Sequence, residues 1–134
     1  MLQGGLLRDQ SKKPKFRTAS EKWEDLISEL KALALVEEFD EYLALMLISK
    51  IGSLNLIQPF DWNSWQVAYP EPEQAHLLDL ETAVKHITRI CRAERFYQNS
   101  IWGPIRSGLL MGLCLVAREH THGEVAPNVM AKTI

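Results

Sequence analysis

Long apolar runs are missing: the longest uncharged stretch, Ser107 to Ala117, has eleven residues, whereas a bilayer span needs about 20. No membrane partner is expected. Charge of one sign is also scarce, because the formal net charge of -2 supplies no bulk attraction to nucleic acid or to an anionic surface. Cysteine is limited to Cys91 and Cys114, both in apolar stretches and without metal-type spacing, so reduced core thiols are expected. The four histidines have no cysteine pair or carboxylate cluster beside them, so no metal is expected. Neither a Gly-x-Ser-x-Gly elbow nor a Gly-rich phosphate loop occurs, which leaves no catalytic residue and no cofactor to nominate. The opening MLQGGLLRDQ reaches a charge before any apolar stretch of secretory length, and a cytoplasmic chain is the expectation.

What is present reads as helix. Thr18 followed by Glu21 fits a capping box, with Ser20 as a competing cap. Trp23, Leu26, Ile27, Leu30, Leu33 and Ala34 then recur at helical spacing, until Leu35 and Val36 break the phase. A second helix, about 40–51, contains YLALMLI and is expected to be central and buried on most sides. Asp61 reads as the cap of a short helix that carries Trp62 and Trp65. YPEPEQAH is a surface connection, and Asp79 caps a further helix from Leu80, whose basic side, Lys85, Arg89 and Arg92, should face water. The last helical region runs from Trp102 to His120, with Pro104 in its first turn and Gly108 as a bend.

No repeat and no strand-like alternation competes with these helices. The predicted fold is all-α, a compact bundle of four to five helices with a short irregular Pro-Phe-Asp-Trp connection. Residues 1–17 are expected as a flexible basic arm, 18–120 as a single domain and 121–134 as a flexible tail. Asp61, Trp62, Trp65, Arg95 and Phe96 are the expected structural anchors: the two indoles as core pegs, and Arg95 packed on an aromatic while pairing with Asp61 or a helix-end carbonyl.

Four short segments, Pro59-Phe60-Asp61-Trp62-Asn63-Ser64-Trp65, Asp79-Leu80-Glu81-Thr82, Arg92-Ala93-Glu94-Arg95-Phe96 and Ser107-Gly108-Leu109-Leu110, stand in the order and spacing of an uncharacterised bacterial family, domain of unknown function number 6508. The chain resembles that family over roughly residues 23 to 118. Asn99 stands where the family pattern usually carries glycine, and Ala117-Arg118-Glu119 replaces its usual basic helix ending. The resemblance implies a compact helical domain and supplies no reaction, cofactor or catalytic residue.

By function, the expectation is a small non-enzymatic module that binds a protein partner, as an accessory, immunity or inhibitor protein of bacterial or phage origin. A homodimer is a second form of the same idea, and an inhibitor of a bacterial defence nuclease (anti-CRISPR type) a sharper one. The competing class is a nucleic-acid-binding accessory protein that uses Lys12, Lys13 and Lys15 of the arm, aided by Lys85, Arg89 and Arg92. The candidate partner-binding residues are these six cations.

Overall fold

Every regular element among residues 17–130, the part described by the computed structural model, is helical. Helix α1 (Ala19–Leu33) starts at Thr18, whose hydroxyl accepts from the Glu21 N–H at 3.1 Å while the Glu21 carboxylate accepts from the Thr18 N–H at 3.0 Å. This reciprocal bonding satisfies two of the amides that a helix start leaves without partners. Trp23, Leu26, Ile27, Leu30 and Leu33 face the core. The Trp23 indole N–H donates to Glu124 O at 3.0 Å.

Helix α2 (Glu41–Gly52) is capped by Asp40, which accepts from the Leu43 N–H at 3.0 Å. It is tied to α1 by Lys50, whose ammonium lies 3.1 Å from Glu29 and 3.3 Å from Asp25. Only Ala44, Leu47 and Ile51 of α2 are buried. The expectation of a central, enclosed helix fails because α2 packs on α1 along one narrow side, and Tyr42, Leu45 and Met46 are left exposed.

After α2 the chain runs through a three-residue 3-10 turn (Trp62–Ser64) and a 3-10 helix (Pro72–Leu77) to α3 (Leu80–Ala93), which Asp79 caps by accepting from the Thr82 N–H at 2.8 Å. The last apolar region is two helices, α4 (Trp102–Ser107) and α5 (Leu109–His120). Gly108 separates them in the left-handed conformation, φ +88°, which glycine adopts without a Cβ penalty. Helix α5 is the real centre of the bundle, with α1, α3, α4 and the 3-10 helix Pro72–Leu77 all packed against it.

That last contact explains a second glycine. A Cβ on Gly112 would lie 3.1 Å from the Ala75 Cβ and 3.2 Å from Pro72 O, so the missing side chain is what lets the 3-10 helix lie on α5. Gly112→Val is expected to lower stability by about 1–3 kcal/mol by overpacking. In Gly112→Ala the gain in helix propensity largely offsets the tight contact, and thermal unfolding of the two variants side by side measures the difference.

The C-terminal segment is not a free tail over its described part. Ala126 and Met130 are buried, and the Ala126 N–H donates to Leu54 O at 3.0 Å. Asn55, in a left-handed conformation (φ +62°), donates its side-chain amide to Ala126 O at 2.8 Å. Gln58, 1% exposed, donates to Pro127 O at 2.8 Å and accepts from the Val129 and Met130 N–H groups at 2.9 and 3.3 Å. Residues 124–130 thus form a strap over the ends of α1 and α2. The basic arm falls almost entirely outside the described residues, Lys12, Lys13 and Lys15 included. Arg17, at its described edge, pairs with Asp25 at 3.3 Å.

Candidate functional site

Two arrangements of side chains border α3, one filled and one open. The filled one covers the basic side of the helix. The Arg89 guanidinium carbon sits 4.6 Å from the Trp65 ring and 4.1 Å from the Tyr69 ring, and one of its nitrogens donates to Trp65 O at 3.1 Å. Lys85 lies over Phe60 and Trp65, 5.7 and 5.8 Å from the ring centroids, and pairs with Glu81 at 3.3 Å. The expectation that Lys85 and Arg89 face water is therefore corrected: loop 60–69 folds back over this side of α3, and cation–π contacts hold it there.

His86 lies beneath the clamp, 1% exposed, with its ring centroid 4.7 Å from Trp65 and 5.4 Å from Tyr69. Its Nδ1 is 3.2 Å from an Arg89 nitrogen. A guanidinium can only donate, so Nδ1 must accept, and the imidazole is neutral with its proton on Nε2. Burial and then the Arg89 charge lower its pKa to about 4.

The expected anchors occupy more peripheral places. Trp62 and Trp65 are half-buried and stand outside the main core; Trp65 meets Phe60 edge-on at 5.7 Å, and Trp62 reaches Phe96 at 6.0 Å. Asp61 does not cap through its side chain: its backbone, at φ -81° and ψ 77°, departs from the extended conformation of a cap residue, and its carboxylate accepts from the Ser64 hydroxyl instead. Arg95 and Phe96 are both exposed. Glu94 explains this. Its carboxylate turns inward and accepts from the Asn99 and Ile101 N–H groups at 2.9 and 3.0 Å, which swings the next two side chains outward. Asn99 takes φ +69° in that turn, a region where asparagine is the usual substitute for glycine.

The open arrangement is a cavity of about 370 Å³ between the outer side of α2 and the C-terminal end of α3. Ala44, Leu45, Ile48 and Ile57 supply apolar walls, with Cys91 also in the lining; Glu41, Arg92, Arg95 and Gln98 bring polar groups to it. Neither Arg92 nor Arg95 joins a salt bridge among the described residues. Beside the cavity, Tyr42, Leu45 and Met46 are 68%, 57% and 40% exposed, at positions i, i+3 and i+4 that share one side of a helix.

Cys91 and Cys114 are free and buried. Burial pushes Cys114 up to about 12 and raises Cys91 as well, with the neighbouring Cys114 adding to that rise, so both are thiols at neutral pH and poor nucleophiles. Among the described residues no helix is long and apolar enough to cross a membrane, and no three His, Cys, Asp or Glu side chains converge as metal ligands.

Sequence reasoning picked out Arg92 and Arg95 individually but missed the cavity they share and the exposed side of α2. The density of YLALMLI was the available signal: three of its apolar positions exceed what one packing side can cover. Among known proteins, the family of unknown function DUF6508 matches residues 5–122. No curated protein and no solved structure matches the chain.

Proposed function

We propose that this chain, which belongs to the family of unknown function DUF6508, is a small non-enzymatic binding module that occupies an apolar surface of a partner protein with the outer side of α2. The observation that carries the reading is the exposed stripe of Tyr42, Leu45 and Met46 on a helix whose other side is packed. An unpartnered stripe of this kind is characteristic of association surfaces, where tyrosine and methionine are enriched. Methionine also adapts its shape to a partner more readily than branched side chains do. Arg92 and Arg95 line the adjoining cavity and are not required for this contact. An inhibitor or immunity protein is the sharper form of the reading, with α2 covering the partner's working surface.

The competing nucleic-acid reading draws less support from the folded domain, because Lys85 and Arg89 are engaged in the clamp over α3. The test is a photo-crosslinking amino acid at position 46 in the source cell, with position 28 on the exposed side of α1 as control. A discrete adduct is expected from 46 and none from 28. An adduct of twice the chain mass would identify a second copy as the partner. Tyr42→Lys/Leu45→Lys, made with the crosslinker kept at 46, should abolish the adduct with stability changed by no more than about 0.5 kcal/mol per surface site. Equal labelling from both positions, or an adduct that survives the double variant, overturns the reading.

A further inference from the structure

The cavity between α2 and α3 has a polarity of its own, separate from the exposed stripe. Its walls are hydrocarbon, from Ala44, Leu45, Ile48 and Ile57, and its charged groups are Glu41, Arg92, Glu94 and Arg95. Of the two carboxylates, Glu94 is already committed: both of its oxygens accept backbone N–H groups, from Asn99 and Ile101, and it is 8% exposed. Glu41 lies in the first turn of α2, where the positive end of the helix partly compensates its charge. Arg92, in the last turn of α3, is likewise offset by the negative end of its helix, but neither arginine has an ion-pair partner among the described residues. Arg95 N–H donates to Arg92 O at 3.2 Å, so the last turn of α3 carries on between them and brings their stems to the same stretch of the rim. Guanidinium groups without an ion-pair partner, next to an apolar chamber, match a planar carboxylate that can accept two parallel hydrogen bonds.

Size agrees with this chemistry. A volume of about 370 Å³ falls near the lower end of small-molecule clefts, roughly 300–1,000 Å³, which are mostly apolar with a few converging polar groups. We propose that the cavity is a binding site for a small apolar carboxylic acid, with its hydrocarbon body against Leu45, Ile48 and Ile57 and its carboxylate held by Arg92 and Arg95. The site is independent of partner binding except at Leu45, which borders both.

The test is isothermal titration of the full chain with octanoate and 2-naphthoate, two body shapes with the same headgroup, against octanol and octylamine. Saturable one-to-one binding is expected for at least one acid, accompanied by a rise in Tm, with the alcohol and the amine at least tenfold weaker. Arg92→Gln/Arg95→Gln, which alters only the rim, should raise Kd for the acid at least tenfold. Ile48→Trp, checked by circular dichroism for a retained fold, should remove binding by filling the chamber. The proposal is overturned if neither acid binds saturably, if alcohol and acid bind alike, or if the double arginine variant keeps the native Kd. Crosslinking from position 46 does not depend on the arginine substitutions, so loss of acid binding and loss of the partner are separately visible.

Discussion

Gln58→Leu is expected to destabilise the protein by about 3–4 kcal/mol and to release the strap, a large effect for a change that nearly conserves shape. The Gln58 side chain is 1% exposed and serves four backbone groups: Asn55 O and Pro127 O accept from it, and the Val129 and Met130 N–H groups donate to it. Leucine fills the volume and takes the Gln58 bonds away from all four. Each unsatisfied buried polar group costs about 1–3 kcal/mol, reduced where water reaches the group, and exposed Pro127 is the place where it does. Amide hydrogen exchange reads the local part of the effect: Val129 and Met130 should lose their protection, while α5 amides change only in step with global stability. Retained protection at 129 and 130 in Gln58→Leu would show that the burial of Ala126 and Met130, with the bonds to Leu54, Asn55 and Trp23, suffices to hold the strap.

The second large effect is a loss of stability in mild acid that originates at His86. The folded protein holds this imidazole neutral down to about pH 4, against 6.5 for the free side chain. Between those values the unfolded chain binds a proton that the folded chain refuses, so stability falls as pH falls. The contribution is fully present above about pH 7, and about 3 kcal/mol of it is lost by pH 4, at roughly 1.4 kcal/mol per pH unit of separation. Protonation would set a ring N–H against the Arg89 guanidinium at the Nδ1 position, with Lys85 nearby over the same Trp65 ring. Carboxylates elsewhere also titrate in this range, so the informative quantity is the difference between wild type and His86→Gln. The glutamine oxygen can still accept from Arg89 and does not titrate. Urea unfolding at pH 7 and pH 4.5 should show a smaller acid loss in the variant; equal losses would place the acid sensitivity elsewhere.

What could be read from the sequence was what lies close together along the chain. The Thr18 and Glu21 box, the Asp79 cap and the core side of α1 depend on residues three or four apart, and each was visible as spacing. The all-helical architecture follows from the same local signals. Periodicity misled where a distant segment covered a surface: Arg89 stands opposite the core side of α3, so it read as solvated, yet loop 60–69 lies over it. Trp62 and Trp65 read as pegs because large rings usually fill cores, but the turn that carries them packs on the outside of α3. Asn99 had a sequence signal without a reason, a glycine position occupied by asparagine, and φ +69° supplies the reason. The cavity was illegible for a different cause. Its walls come from α2, from Ile57 and from the end of α3, and no spacing rule relates positions so far apart in sequence.

The strap also orders events in time. Trp23 and Glu124 are joined across 101 positions and Gln58 and Met130 across 72, whereas helix caps close over three, and contacts between remote positions form late because a long loop must first be closed. During synthesis the Trp23 indole and the amide of Gln58 therefore wait, without these partners, until residues 124–130 have emerged from the ribosome. Closure of the strap thus follows the helices it fastens.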